Sequence, residues 1–254
     1  MAEREYNASE NTIDKNDLFY KWQKAAGGTL NFSQGLSNIR SFLHVDLTAG
    51  PGIDKFGNRN VLLRSIDAHK EVEVFDRMQY IAFEEDRERF KRLVDTLRGE
   101  NLLSELYAPE CGKVVAVNGL FGNYAEKLKK IAHKRIGEIC FDPVPDGKSI
   151  IDAKLIAKIF PTNMSISSYV GQNSMARVAG MLGKQNRECT RDGLTRDDWD
   201  YERLLSELRG SRTHAFASKK MGSAGGRVAV FTIANKKPPG MSNLDEGIQR
   251  DFFS

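Results

Sequence analysis

Short apolar runs, each closed by a polar residue and a turn, set the rhythm of this chain. Residues 42–52, FLHVDLTAGPG, run apolar up to Asp46 and then break into Ala49-Gly50-Pro51-Gly52. Residues 79–83, QYIAF, lead to Glu84-Glu85-Asp86, and residues 113–117, KVVAV, lead to Asn118-Gly119. Residues 137–141, GEICF, stop at Asp142-Pro143-Val144-Pro145, and residues 227–233, RVAVFTI, precede a Pro-Pro-Gly turn at 238–240. Runs of this length, bounded by turn residues and rich in β-branched types, predict buried strands. A further strand with a polar tip is expected within 159–169.

Between these runs the period changes to that of a helix. Phe90, Leu93, Val94 and Leu97 give one apolar face to a helix that Gly99 is placed to stop. Tyr124, Leu128, Ile131 and Ala132 do the same for a basic helix over 124–135. A short helix is expected over 18–26, ended by Gly27-Gly28, and another over 32–42, leading into the first strand. Residues 61–66, 149–158, 170–182 and 201–208 also read as helical. Residues up to about Asn16 lack apolar periodicity and predict a flexible arm. Residues 186–200 are charged, without a core signal, and predict a loop. The expected organisation is an N-terminal arm and short helix (1–30), an α/β domain (31–240) with an excursion near 184–200, and a C-terminal tail (241–254).

Strands alternating with helices imply a mostly parallel central sheet with helices on both faces, an α/β Rossmann-like fold. Right-handed crossovers then bring Asp46, Glu84, Asn118 and Asp142 to one edge. Ligands of such sheets sit outside the carboxyl ends of the strands. At that edge Gly50 and Gly52 would let a ligand approach the first turn, since neither carries a Cβ. Glu84 could accept from both hydroxyls of a ribose, having two acceptor oxygens and no donor. Asn118 offers a donor and an acceptor for an adenine edge. Each residue also has a plainer reading. Gly-Pro-Gly is ordinary turn chemistry, acids at strand ends often cap the following helix, and Asn-Gly is a common turn.

Composition narrows the class. A chain of 254 residues with 40% hydrophobic and 28% charged residues supports one large α/β domain or two small ones. The net charge of +4 permits nucleic-acid contact without requiring it. Lys127, Lys129, Lys130, Lys134 and Arg135 form a basic cluster that reads first as a solvated helix face. No apolar run approaches the roughly 18 residues of a membrane span, so no membrane partner is expected. Three cysteines, Cys111, Cys140 and Cys189, match no zinc spacing and no disulfide framework. A reducing, cytoplasmic setting fits them, and the polar, acidic start does not resemble a secretory signal. None of the four histidines stands at metal-ligand spacing from a cysteine or carboxylate, so no metal is inferred. Gly-x-Ser-x-Gly and the full Gly-x-x-x-x-Gly-Lys-Ser/Thr phosphate loop are absent, and GPGIDK lacks the third glycine of a dinucleotide fingerprint.

Taken in order, VDLTAGPG, IAFEEDRERFKRL, VVAVNG and ICFDPVPDG resemble a class I S-adenosylmethionine-dependent methyltransferase. More narrowly they are similar to the three-Cys-motif partner proteins, in which an Asp-x-x-Ala-Gly-x-Gly loop, a Glu-x-Asp strand end and an Asp-Pro strand end recur. The late strand RVAVFTIAN also looks like that family's closing strand, and the resemblance spans about 42–235. It implies that Asp46, Ala49, Gly50 and Gly52 line the methionine end of S-adenosylmethionine, that Glu84 holds the ribose and Asn118 the adenine. Asp142 would orient the methyl acceptor, a nucleic acid or a protein. Two departures stand out. Asp46 and Glu84 lie 38 positions apart, roughly twice the spacing of about 20 in a compact unit, which predicts an insert over 54–67 that covers the pocket. Val144-Pro145 replaces the family's aromatic or Gly after Asp-Pro. This second departure supports an alternative, a non-catalytic module that binds a partner protein or nucleic acid in a defence or mobile-element system. Tyr20-Lys21-Trp22 with Ala26-Gly27-Gly28 is distantly similar to the Lys-Trp-Ala-Gly-Gly segment of adenine methyltransferases, though a Trp there reads more simply as core.

Overall fold

The computed structural model describes residues 10–32, 36, 38–105, 109–142, 149–169, 206–212, 214–221 and 227–234. The expectations for 143–148, 170–205 and 235–254 lie outside them. Seven strands form one sheet: β1 (Phe42–Asp46), β2 (Met78–Glu84), β3 (Val114–Asn118), β4 (Gly137–Phe141), β5 (Met164–Tyr169), β6 (His214–Met221) and β7 (Arg227–Ala234). Their order is β3-β2-β1-β4-β5-β7-β6. The first five run parallel, and β7 is antiparallel to both β5 and β6. The run 3-2-1-4-5 is that of a doubly wound sheet, with its switch point between β1 and β4. The expected Rossmann-like α/β class is the one observed.

Helices α1 (Glu10–Phe32), α2 (Val61–Glu71), α3 (Arg87–Gly99), α4 (Ala125–Ala132) and α5 (Ser149–Ile159) divide between the two faces. Alternation along β1 decides which residues each face receives. Leu43 and Val45 join Ile139, Phe141 and Ile166 in a core covered by Leu128 and Ala132 of α4 and Ala153 and Ile156 of α5. Phe42, with Tyr80 and Ala82 of β2, packs under Leu62, Leu63 and Ile66 of α2 and Leu93 and Leu97 of α3. Caps written into the sequence start two of these helices. The Asn60 side chain accepts from Leu63 N at 2.9 Å, and Asp86 accepts from Glu88 N and Arg89 N at 3.0 and 2.8 Å.

Four expectations need correction. The first concerns the N terminus, where a flexible arm was expected up to Asn16. The helix begins at Glu10, and Asn16, Leu18 and Phe19 are buried against the domain. Secondly, Gly27-Gly28 does not end that helix. A Cβ on Gly27 would lie 3.0 Å from both His69 and Val72, so the glycine lets α1 lie close on α2. Thirdly, no helix continues into the first strand, because residues 38–41 are turn and irregular chain. Lastly, the supposed insert over 54–67 is no lid. Its second half belongs to α2, the crossover helix between β1 and β2, with Leu62, Leu63 and Ile66 fully buried. Strand β6 had no counterpart in the sequence reading.

Candidate functional site

A cleft of about 210 Å³ opens at the switch point. It is floored by the carboxyl ends of β1, β2 and β4, and reached from one side by α1. Its lining includes Asp46, Ala49, Gly50, Glu84 and Asp142, so three of the four strand-end residues and the front of the Gly turn converge there. Parallel register explains the convergence: Asp46 pairs with Ala82 and Cys140, and Glu84 with Asn118.

Two of the acids, Asp46 and Glu84, accept from backbone donors. Asp46, 1% exposed, accepts from Thr48 N at 3.0 Å through Oδ1. Thr48 in turn accepts from Asp142 N at 3.0 Å through Oγ1, which ties the β1 turn to the end of β4. Glu84, 6% exposed, accepts from Asp86 N at 2.9 Å and from the Gly50 backbone. Burial pushes its carboxyl above the ordinary range, and these backbone donors only partly oppose that. Gly50 has φ of +71° and open space where a Cβ would stand. That combination suits glycine on conformational grounds and leaves its backbone approachable.

Two of the residues singled out from sequence lie outside the lining. Gly52 has φ of +90° and faces α3, where a Cβ would meet Thr96 Oγ1 at 3.1 Å. The Asn118 side chain turns back onto its own sheet, donating to Glu84 O at 2.9 Å, while its neighbours Gly119 and Leu120 line the cleft. Other lining residues had not been singled out: Asn16 and Phe19 from α1, Thr48, Asn60, Arg89 from α3 and Asp152 from α5. Asn60 carried a signal, as an Asn before an apolar helical run. It caps α2 and also donates to Ala49 O, pinning the Gly turn. Asn16 carried none.

Behind the floor lies a buried polar cluster. His44, Glu138 and Cys140 each bring one potential ligand atom within 4.8 Å of the others. The Glu138 carboxylate, raised above the ordinary range by burial, already accepts from Trp22 Nε1, Gln23 Nε2 and Ser167 Oγ. Three donors from two elements make it the anchor of α1 on the sheet. Burial, with Glu138, Asp46 and Asp142 nearby, pushes the Cys140 thiol well up and keeps it protonated. His44 Nε2 lies 3.8 Å from Cys140 Sγ, and burial lowers the His44 value to about 4.

No protein-family model and no curated protein matches the chain. Among solved structures it is similar to Legionella pneumophila protein LPL1258, at 12% identity over 89% of this chain and 88% of that one, with a TM-score of 0.48. A methyltransferase from Geobacter sulfurreducens shares 12% identity over 86% and 77% of the two chains, TM-score 0.45. Aeropyrum pernix fibrillarin, in complex with natively bound S-adenosyl-L-methionine, shares 11% over 84% and 76%, TM-score 0.43. No described helix is long and apolar enough to cross a membrane.

Proposed function

We propose that this chain is an S-adenosylmethionine-dependent methyltransferase acting on a nucleic-acid or protein acceptor. One observation carries the reading: the charged side chains of the switch-point cleft are, but for one, acidic hydrogen-bond acceptors. Asp46, Glu84, Glu85, Asp142 and Asp152 line it, against a single arginine, Arg89. A ligand that suits such walls brings hydroxyl donors and positive charge. A pyrophosphate does not suit them, because like charges in a partly buried cleft repel strongly. The usual anion seat is also taken, since the amino end of α2 is capped by the Asn60 side chain. An adenosyl sulfonium with an ammonium group meets these demands, and a phosphate-bearing dinucleotide does not.

Glu84 would accept from the ribose hydroxyls, while Asp46 and the Gly50 turn would hold the amino-acid end. The bound cofactor supplies a methyl group on a positively charged sulfur. Asp142, at the end of β4 beside the switch point, would orient the acceptor so that its lone pair is in line with the methyl carbon. Transfer of this kind depends on alignment more than on acid–base strength. The Asn118 side chain is spent on the Glu84 carbonyl, which leaves the adenine to the neighbouring Gly119–Leu120 segment.

Calorimetric titration with S-adenosylmethionine and S-adenosylhomocysteine tests the cofactor reading. Saturable binding is expected, and absence of heat together with an unchanged melting temperature would favour the non-catalytic module, for which Val144-Pro145 after Asp142 speaks. Asp142→Ala is expected to retain S-adenosylhomocysteine binding while losing methyl transfer. Undiminished transfer in that variant would reject the assignment of Asp142.

A further inference from the structure

Asn16 lies on a helix that sequence reading set outside the domain, yet it lines the cleft and is only 5% exposed. Its amide orientation is fixed by a neighbour: Nδ2 donates to Arg59 O at 2.8 Å, so Oδ1 is the atom left over. Oδ1 has no hydrogen-bond partner among the described residues. A buried acceptor left unmade is costly, and native structures rarely leave one without a purpose.

Its position says which part of a ligand it would meet. Arg59 adjoins Asn60, which pins Ala49 in the Gly turn, so Asn16 stands on the β1 side of the cleft. Phe19, one turn along α1, also lines the cleft and packs with Val61 and Cys140. This face of α1 therefore covers the β1–β4 end, away from Glu84 at the end of β2. If the ribose sits at Glu84, the chain beyond the ribose extends toward α1.

We propose that Asn16 is a cofactor-binding residue whose Oδ1 accepts an N–H from the α-ammonium of the bound methionine moiety. The proposal rests on the cofactor reading above and deepens it. It makes the N-terminal helix part of the binding site, and it supplies a neutral acceptor where the amino-acid end needs one. A hydrogen bond to a charged donor typically changes affinity by about tenfold or more.

The test compares two ligands. S-adenosylhomocysteine carries the ammonium, and 5′-methylthioadenosine keeps the adenosine and sulfur but lacks the amino-acid end. In Asn16→Ala, calorimetry is expected to show S-adenosylhomocysteine weakened about tenfold or more and 5′-methylthioadenosine unchanged. Equal weakening of both would mark Asn16 as merely structural and overturn the proposal, as would no change in either. If Asn16→Ala does not fold, as judged by its melting curve, Asn16→Ser carries the same comparison. A wild-type protein that binds neither ligand would overturn the cofactor reading itself and this inference with it. Wild-type binding without a selective loss in the variant would overturn the inference alone.

Discussion

Glu84→Gln separates the two consequences of placing a buried carboxylate at the end of β2. The first concerns binding. A carboxylate accepting from two ribose hydroxyls makes charge-assisted bonds, each contributing roughly 1.5–3 kcal/mol. Gln keeps one neutral acceptor oxygen and turns a donor toward the second hydroxyl. A net loss of about that size weakens S-adenosylhomocysteine by roughly 10- to 100-fold at pH 7. The second consequence concerns folding. Burial, opposed in part by the Asp86 and Gly50 backbone donors, raises the Glu84 carboxyl above its ordinary range. The folded protein therefore holds that proton to higher pH than the unfolded chain does. As pH rises from the ordinary carboxylate range through the raised value, Glu84 must ionise inside the fold, and stability falls. Above the raised value the penalty is complete and constant. Gln has no such step. Urea melts of both proteins from pH 4 to 8 should then show the stability of the wild type, relative to the variant, declining as pH rises through that window. A pH-independent difference would refute the desolvation argument, and unchanged ligand affinity would refute the ribose assignment.

Two further predictions concern the core beneath the cleft. His44 is fully buried with a value of about 4, so it stays neutral in the fold while the unfolded chain takes up a proton below about 6.5. Its contribution to stability is present at pH 7 and lost as pH falls toward 4, amounting to about 2 kcal/mol between pH 7 and 5. Urea titration should show His44→Phe losing that much less stability over the same interval, and an identical loss in both proteins would reject the assignment. Gly137 begins β4 with no room for a side chain, since a Cβ there would stand 1.8 Å from Leu43 O. Gly137→Ala is expected to cost more than about 4 kcal/mol, because it forces β4 off β1. Soluble expression with an unchanged melting temperature would contradict that.

The parallel half of the sheet was legible because its strands are buried on both faces and read as continuous apolar runs. Residues 80–83, YIAF, show this most plainly. The acids after β2 made the start of α3 legible, whereas the Asn60 cap of α2 was not singled out. What escaped was decided by contacts distant in sequence. The extent of α1 depends on its packing along α2 and on Glu138, 115 and 116 positions from Gln23 and Trp22, not on its own weak periodicity. Gly27 carries a helix-stop signal, but close approach to His69 and Val72 overrides it. Strand β6, HAFASKKM, lacks an apolar run and owes its form to eight paired positions along β7. Asn118 was located at its strand end, but sequence could not tell that its amide would turn inward to Glu84 O.

The charged residue within GEICF, Glu138, links the fold to the site. Glu138, Cys140 and Asp142 stand at alternate positions of one chain segment, and alternation puts them on a common face. On α1, Asn16, Phe19 and Gln23 follow the i, i+3, i+7 spacing of one helical stripe. The two stripes meet in order: Gln23 on Glu138, Phe19 with Cys140, and Asn16 in the cleft that Asp142 also lines. Seven helical residues rise about 10 Å and four strand intervals about 13 Å, so the lengths match. The buried carboxylate of Glu138 thus sets the register of α1 along β4. Sliding the helix by one turn would break the bonds from Trp22 and Gln23 and withdraw Asn16 from the cleft. The same anchor that holds the N-terminal helix down decides which of its side chains a ligand meets.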